Sequence, residues 1–157
     1  MSHRGRDSGF TLIELLVTMS LLGIMMAIAV GGWNSWAKAS AQSGTAREIQ
    51  SVLSQAHQRA VTEGTAICVW FDVAGNSYTV YRGACDLASK AQIVGPYRTN
   101  SSAVRLAAPE FGLADSAGVT MQARGTAWAG SVAVERDGSS KRYVLTVEEL
   151  TGRVSIS

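Results

Sequence analysis

Proline and cysteine are scarce in this sequence, with two of each among 157 residues. Neither Cys68 nor Cys85 belongs to a Cys-x-x-Cys pair, which excludes the usual zinc-binding spacing. Histidine is equally scarce, only His3 and His57. The chain has no His-Glu-x-x-His, no Walker A glycine loop and no Gly-x-Ser-x-Gly elbow, so nothing frames a metal, nucleotide or serine hydrolase. We therefore expect no enzyme, no catalytic residue, no cofactor and no metal ligand. Charge is also low: 17% of residues are charged and the net formal charge is +2. That balance gives no chain-wide basic footprint of the nucleic-acid-binding kind. There is no internal repeat and no long low-complexity linker.

What the sequence has instead is one long apolar run. From Leu12 to Val30 only Glu14 is charged. Phe10 to Val30 is 21 residues; as a helix it spans roughly 32 Å, against a hydrocarbon core of about 30 Å. It is long enough to cross a bilayer once. Before it stand nine short, polar and basic residues, Met1 to Gly9, with Arg4 and Arg6 favouring a cytoplasmic N-terminus. A secretory signal is cut after its apolar region, whereas the natural break here precedes it, at Gly9-Phe10. Glu14 is the anomaly. A carboxylate in or near a membrane span is costly and reads as functional; the plainer account is a headgroup-level residue favouring the helix N-terminal dipole.

Gly9-Phe10-Thr11-Leu12-Ile13-Glu14-Leu15-Leu16-Val17 resembles the leader motif of type IV prepilins and type II secretion pseudopilins. The resemblance implies cleavage between Gly9 and Phe10 by a prepilin peptidase, and N-methylation of the new Phe10 amine. It implies a single-pass protein of the inner membrane, later assembled with other major and minor pilins or pseudopilins into an extracytoplasmic pilus or pseudopilus. Glu14 would then pair with a Phe10 amine and set the axial register, because either charge alone in low dielectric is expensive.

Beyond Val30 the helix is expected to continue to about Glu63. Trp33 and Trp36 read as an interfacial belt, and Ile49, Val52, Leu53, Ala56, Ala60 and Val61 as one apolar face. Arg47, Glu48, Gln55, Gln58, Arg59 and Glu63 are left for solvent, and Gly64 suits a C-terminal cap. Interior Gly23, Gly31 and Gly32 weaken the helix by about 1 kcal/mol each, for close packing or for local unwinding; filament-forming pilins often carry proline where Gly31 stands. Past Gly64 the period shortens to two. Strands are expected at 65–71, 78–82, 131–135, 142–147 and 153–156, with short ones at 104–106 and 119–121. Pro96, Asn100-Ser-Ser102 and Pro109 obscure the middle. Cys68 and Cys85 fall near each other in a hairpin, either as one disulfide or as two buried thiols.

The fold class is α+β: a long N-terminal helix packed on an antiparallel β-sheet domain. The expected divisions are 1–9 leader, 10–30 membrane or filament-core helix, 31–63 helix continuation and 64–157 β-rich extracytoplasmic domain. Arg59-Ala-Val-Thr-Glu-Gly-Thr65, Phe71-Asp-Val-Ala-Gly-Asn-Ser-Tyr-Thr-Val80, Gly125-Thr-Ala127 and Thr151-Gly-Arg-Val-Ser-Ile156 are similar to the minor pseudopilins of the H-type and to FimT-type minor pilins. Some FimT-type pilins bind DNA through a Gly-Arg-x-Arg segment. Here Gly152-Arg153-Val154-Ser155 lacks the second arginine. The alternative role, DNA uptake, would rest on Arg136, Lys141, Arg142 and Arg153, few enough phosphate contacts to make binding weak and salt-sensitive.

Overall fold

A computed structural model describes residues 10–99, 101–112 and 116–157. The expected leader, 1–9 with Gly9, and the Asn100 breaker lie outside the described residues. The chain forms two compact units, Met1–Ala37 and Lys38–Ser157. One helix, α1 (Leu12–Glu63), supplies the described structure of the first unit and one layer of the second. It stops where Gly64 takes a left-handed φ of 65°, a conformation open to glycine without a Cβ penalty.

In the second unit eight strands follow: β1 (Ile67–Asp72), β2 (Ser77–Arg82), β3 (Ala91–Arg98), β4 (Val104–Phe111), β5 (Gly118–Met121), β6 (Gly130–Arg136), β7 (Tyr143–Val147) and β8 (Val154–Ile156). They make two antiparallel four-stranded sheets, ordered β3-β2-β1-β5 and β4-β6-β7-β8. The expectation of a single sheet is thus refined to two. β3 has no counterpart in the sequence reading, because Pro96 removes a ladder donor and reads as a breaker. Pro96 is tolerated because β3 is an edge strand, and its bond to Gly95 is cis. β4 is longer than Val104–Leu106: a bulge between Ala107 and Glu110, with Ala108 at φ 43°, carries it past Pro109 to Phe111.

The α1 stripe Ala46, Ile49, Leu53, Ala56 and Ala60 is buried. Val52 is only partly covered and Val61 is exposed, so the apolar face is narrower than the hydrophobic residues suggested. Against the stripe pack Ile67, Val69, Phe71, Tyr78 and Val80 from the first sheet and Val104, Leu106, Val132, Val134, Leu145 and Val147 from the second. Strand alternation puts these on the inner faces. Every core residue belongs to the Lys38–Ser157 unit. Phe71 stacks on Phe111 with centroids 5.8 Å apart, joining the two sheets. Asn76, at φ 50°, joins them a second way: its amide donates to Val104 O (2.6 Å) and its Oδ1 accepts from Leu106 N (2.8 Å).

Cys68 and Cys85 form a disulfide on the face of the first sheet turned from α1. Gly118 leaves room for it, since a Cβ there would lie 2.7 Å from Cys85 Sγ and from Trp70 Cε3. The loop it holds is fastened again by Lys90, whose Nζ sits 4.6 Å from the Trp70 ring centre and donates to Cys85 O. The bridge spans 17 residues, a loop for which chain entropy gives about 3 kcal/mol. Replacing both cysteines by serine is expected to lower the unfolding free energy by about that amount. An unchanged denaturation midpoint would show the bridge to be energetically idle.

Tyr78 generates a pH dependence. Burial, reinforced by the hydrogen bond its hydroxyl donates to Glu48 (2.9 Å), pushes its phenol well above the ordinary range. Glu48 therefore faces β2 and is half-buried, not simply left to solvent as its helix position suggested. With the folded-state value raised, the stabilisation is complete below the unfolded value of about 10 and is lost as pH climbs above it. Tyr78→Phe is expected to blunt alkaline unfolding above about pH 10, measured by circular dichroism. An identical alkaline limb in wild type and variant would contradict this.

Candidate functional site

The site is built from the start of α1. Thr11 precedes the first helical residue, and its Oγ1 accepts a hydrogen bond from Glu14 N (3.3 Å) while Leu15 N donates to Thr11 O (3.2 Å). Thr11-Leu-Ile-Glu14 is thus the S/T-x-x-E pattern of a helix N-terminus, with Glu14 at the third helical position. The carboxylate stands in the first turn, where the unpaired N–H groups carry partial positive charge. Thr11 is not among the site residues expected from the motif resemblance, although the Thr11–Glu14 spacing marks it. Phe10 lies just outside the helix and is 81% exposed.

Past this cap the helix shows apolar side chains on every side. Leu12, Ile13, Leu15, Leu16, Leu21, Leu22, Ile24, Met25, Met26 and Ile28 are all at least half exposed. Burying each from water is worth about 1.5–3 kcal/mol, so the segment calls for an apolar surrounding. Its hydroxyls need nothing from outside: Thr18 donates to Leu15 O (2.9 Å) and Ser20 to Leu16 O (2.8 Å). That self-sufficiency is what a lipid or filament interior demands of polar groups. A Cβ added at Gly23 or Gly32 would meet nothing within 4 Å, so these glycines leave shallow places on the helix surface. Trp33 and Trp36 are exposed and lie 5.5 Å apart by ring centroid.

The other sequence candidates are placed differently. Arg136, Lys141 and Arg142 gather at the β6–β7 turn. Arg153 lies at the opposite end of the same sheet, beside the Val147–Val154 pairing. The four cations proposed for DNA are therefore not one patch. His57 reaches Gly125 O at 2.9 Å, so Nε2 carries the hydrogen, and its ring fills the space above Gly152 where a Cβ would overlap it. It holds two turns against α1, a role its position at the edge of the apolar face did not announce. Gln42 is buried and donates to Val134 O (3.0 Å) and Lys141 O (2.8 Å), tying α1 to the β6–β7 hairpin. Among the described residues no cluster of His, Cys, Asp and Glu is arranged to hold a metal.

Residues 4–30 match the prokaryotic N-terminal methylation motif. The rest of the chain is similar in fold to solved minor pilins and pseudopilins. The minor pseudopilin EpsH from the type 2 secretion system of Vibrio cholerae superposes with a TM-score of 0.56 at 16% identity, covering 73% of this chain and 94% of that one. A second EpsH structure gives a TM-score of 0.57 at 13% identity over 75% and 96% of the two chains. The type IV minor pilin FimU of Pseudomonas aeruginosa gives 0.54 at 21% identity, covering 73% and 87%. No curated protein sequence matches the chain. At these identities the likeness concerns the fold, while the methylation motif concerns the segment that carries Phe10 and Glu14.

The Thr11 cap is directly testable. Thr11→Ala is expected to cost about 1 kcal/mol at the helix start, seen as faster amide exchange at Ile13 and Glu14 in detergent, with Thr11→Ser restoring protection. Unchanged exchange in Thr11→Ala would remove the cap from the account.

Proposed function

We propose that the chain is a structural subunit, a minor pilin or pseudopilin, made as a precursor and cut between Gly9 and Phe10 by a prepilin peptidase. On this reading residues 1–9 are the leader, 10–30 the membrane and filament-core helix, 31–63 its continuation, and 64–157 the extracytoplasmic domain. The new Phe10 amine is N-methylated. The subunit waits as a single-pass inner-membrane protein and then joins other pilins or pseudopilins in a type IV pilus or a type II secretion pseudopilus. The observation that carries the reading is the methylation motif at residues 4–30, whose large apolar helical side chains from Leu12 to Ile28 are at least half exposed. Such a helix needs lipid before assembly and neighbouring helices after it.

Glu14 has a chemical role in this scheme. Cleavage leaves an α-amine with an ordinary pKa of about 7.7–8.0, so it is cationic at neutral pH, four residues from the carboxylate. Glu14 can pair with the Phe10 amine of a neighbour or of its own chain; either pairing offsets two charges that would be costly alone in an apolar interior, and pairing across subunits sets the axial register. The exposure of both residues leaves them accessible to a neighbour.

Mass spectrometry of assembled material is expected to find N-methyl-Phe10 as the first residue; an intact Met1 or cleavage near Ala41 would overturn the reading. Glu14→Ala is expected to be cut normally yet to enter filaments at a tenth or less of the wild-type level, the scale of about 1.4 kcal/mol per tenfold for an unpaired charge. Normal incorporation of that variant would remove the pairing role and leave the processing intact.

A further inference from the structure

A cleft of about 780 Å³ opens at one end of the second unit. Trp128, Phe111 and Leu150 give it apolar walls, and its charged lining among the described residues is Asp86, Glu149 and Arg124. Leu150 is 83% exposed at the tip of the β7–β8 turn, a large apolar side chain with no cover. None of the three charged lining residues enters an ion pair among the described residues. The chemistry suits a cation on an apolar stem, with the stem against the tryptophan face and the charge beside the two carboxylates.

The same hairpin that borders this cleft ends in such a group. Gly130 pairs with Val147 at the cleft end of β6 and β7, and Val134 pairs with Tyr143 at the other end, where the turn carries Lys141 and Arg142. Lys141 is engaged over the Tyr143 ring at 5.1 Å. Asp137 is taken by Arg105 at 3.2 Å. Arg142 is exposed and meets no carboxylate among the described residues. A cationic turn and an acidic, tryptophan-lined cleft therefore occupy opposite ends of one rigid hairpin. The two surfaces are different, so their pairing between copies is head-to-tail and not two-fold.

We propose that the Trp128 cleft is an interaction surface for a second copy of this chain, receiving the β6–β7 turn with Arg142 as the inserted cation. The proposal deepens the filament-subunit reading by naming a contact between globular domains that is independent of the Phe10–Glu14 pair. It is tested on the unprocessed full-length chain in detergent, so its failure leaves the proposed processing and helix assembly untouched.

Cys68 and Cys85 are bonded to each other and no cysteine is free, so one new thiol per variant reports one contact. Ser140→Cys places a thiol on the turn and Leu150→Cys one at the cleft rim. Mixed under mild oxidant, the two variants are expected to give a disulfide-linked dimer at least about tenfold more abundant than either variant alone or than Ser140→Cys mixed with the exposed helix variant Ser54→Cys. Adding Arg142→Glu to the turn partner is expected to cut the yield about tenfold, and Glu149→Arg in the cleft partner to restore most of it, as a charge swap across an interface should. Dimers formed mainly by Ser140→Cys with itself would indicate a two-fold contact and overturn the proposal. So would a mixed yield no higher than the Ser54→Cys control, or a yield indifferent to Arg142→Glu.

Discussion

The second unit depends on one stripe of α1 being buried by two sheets at once. Ala46, Ala56 and Ala60 are small enough to let the inner faces approach, and Ile49 and Leu53 fill the space between them. The polar residues beside the stripe then fasten each sheet to the helix by name: Gln42 to the β6–β7 hairpin, Gln50 to Val154 O at 3.1 Å, Glu48 to Tyr78, and His57 to the turn at Gly125. Apolar burial supplies most of the stability and is indifferent to direction. The hydrogen bonds are directional, so they decide which way each sheet lies on the helix.

The same helix has an opposite character before Ala37. Its large side chains are mostly apolar and exposed, and the Thr18 and Ser20 hydroxyls are satisfied within the helix. No water-facing side exists for it to present. A helix of that kind is stable only where its surroundings are apolar, either lipid or other helices. Glu14 interrupts the run at the first turn, where the helix dipole and the Thr11 cap make a carboxylate least costly. The surface ion pairs of the domain, Arg59–Glu63 and Arg82–Glu63, hold the Glu63 carboxyl below its usual value chiefly through the Arg59 hydrogen bond, yet they lie exposed to solvent and matter little beside the core.

Much of this was legible in advance where local chemistry is decisive. The end of α1 at Glu63 follows from Gly64, the β1–β2 hairpin from the Asp72–Ser77 turn, and β6 to β8 from their period-two alternation. β3 was not legible. Pro96 argues against a strand unless the strand lies at a sheet edge, and edge status is a property of the finished sheet. The length of β4 was hidden for a similar reason, because a bulge at Ala108 lets the ladder resume beyond Pro109. Val61 and Glu48 were misjudged because helical periodicity marks a face and not the width of what covers it.

Readable from the sequence alone were the apolar segment, the helix register and the first-turn position of Glu14. All of these are set by residues within one or two helical turns of each other. That there are two sheets, that His57 fastens the Gly125 turn to α1, that Arg153 stands apart from the other three cations, and that an acidic cleft and a basic turn share one hairpin are visible only in the folded chain. Those facts depend on contacts between residues as much as 104 positions apart, as between Gln50 and Val154. No local pattern encodes them, because strand order and burial exist only once the chain has closed on itself.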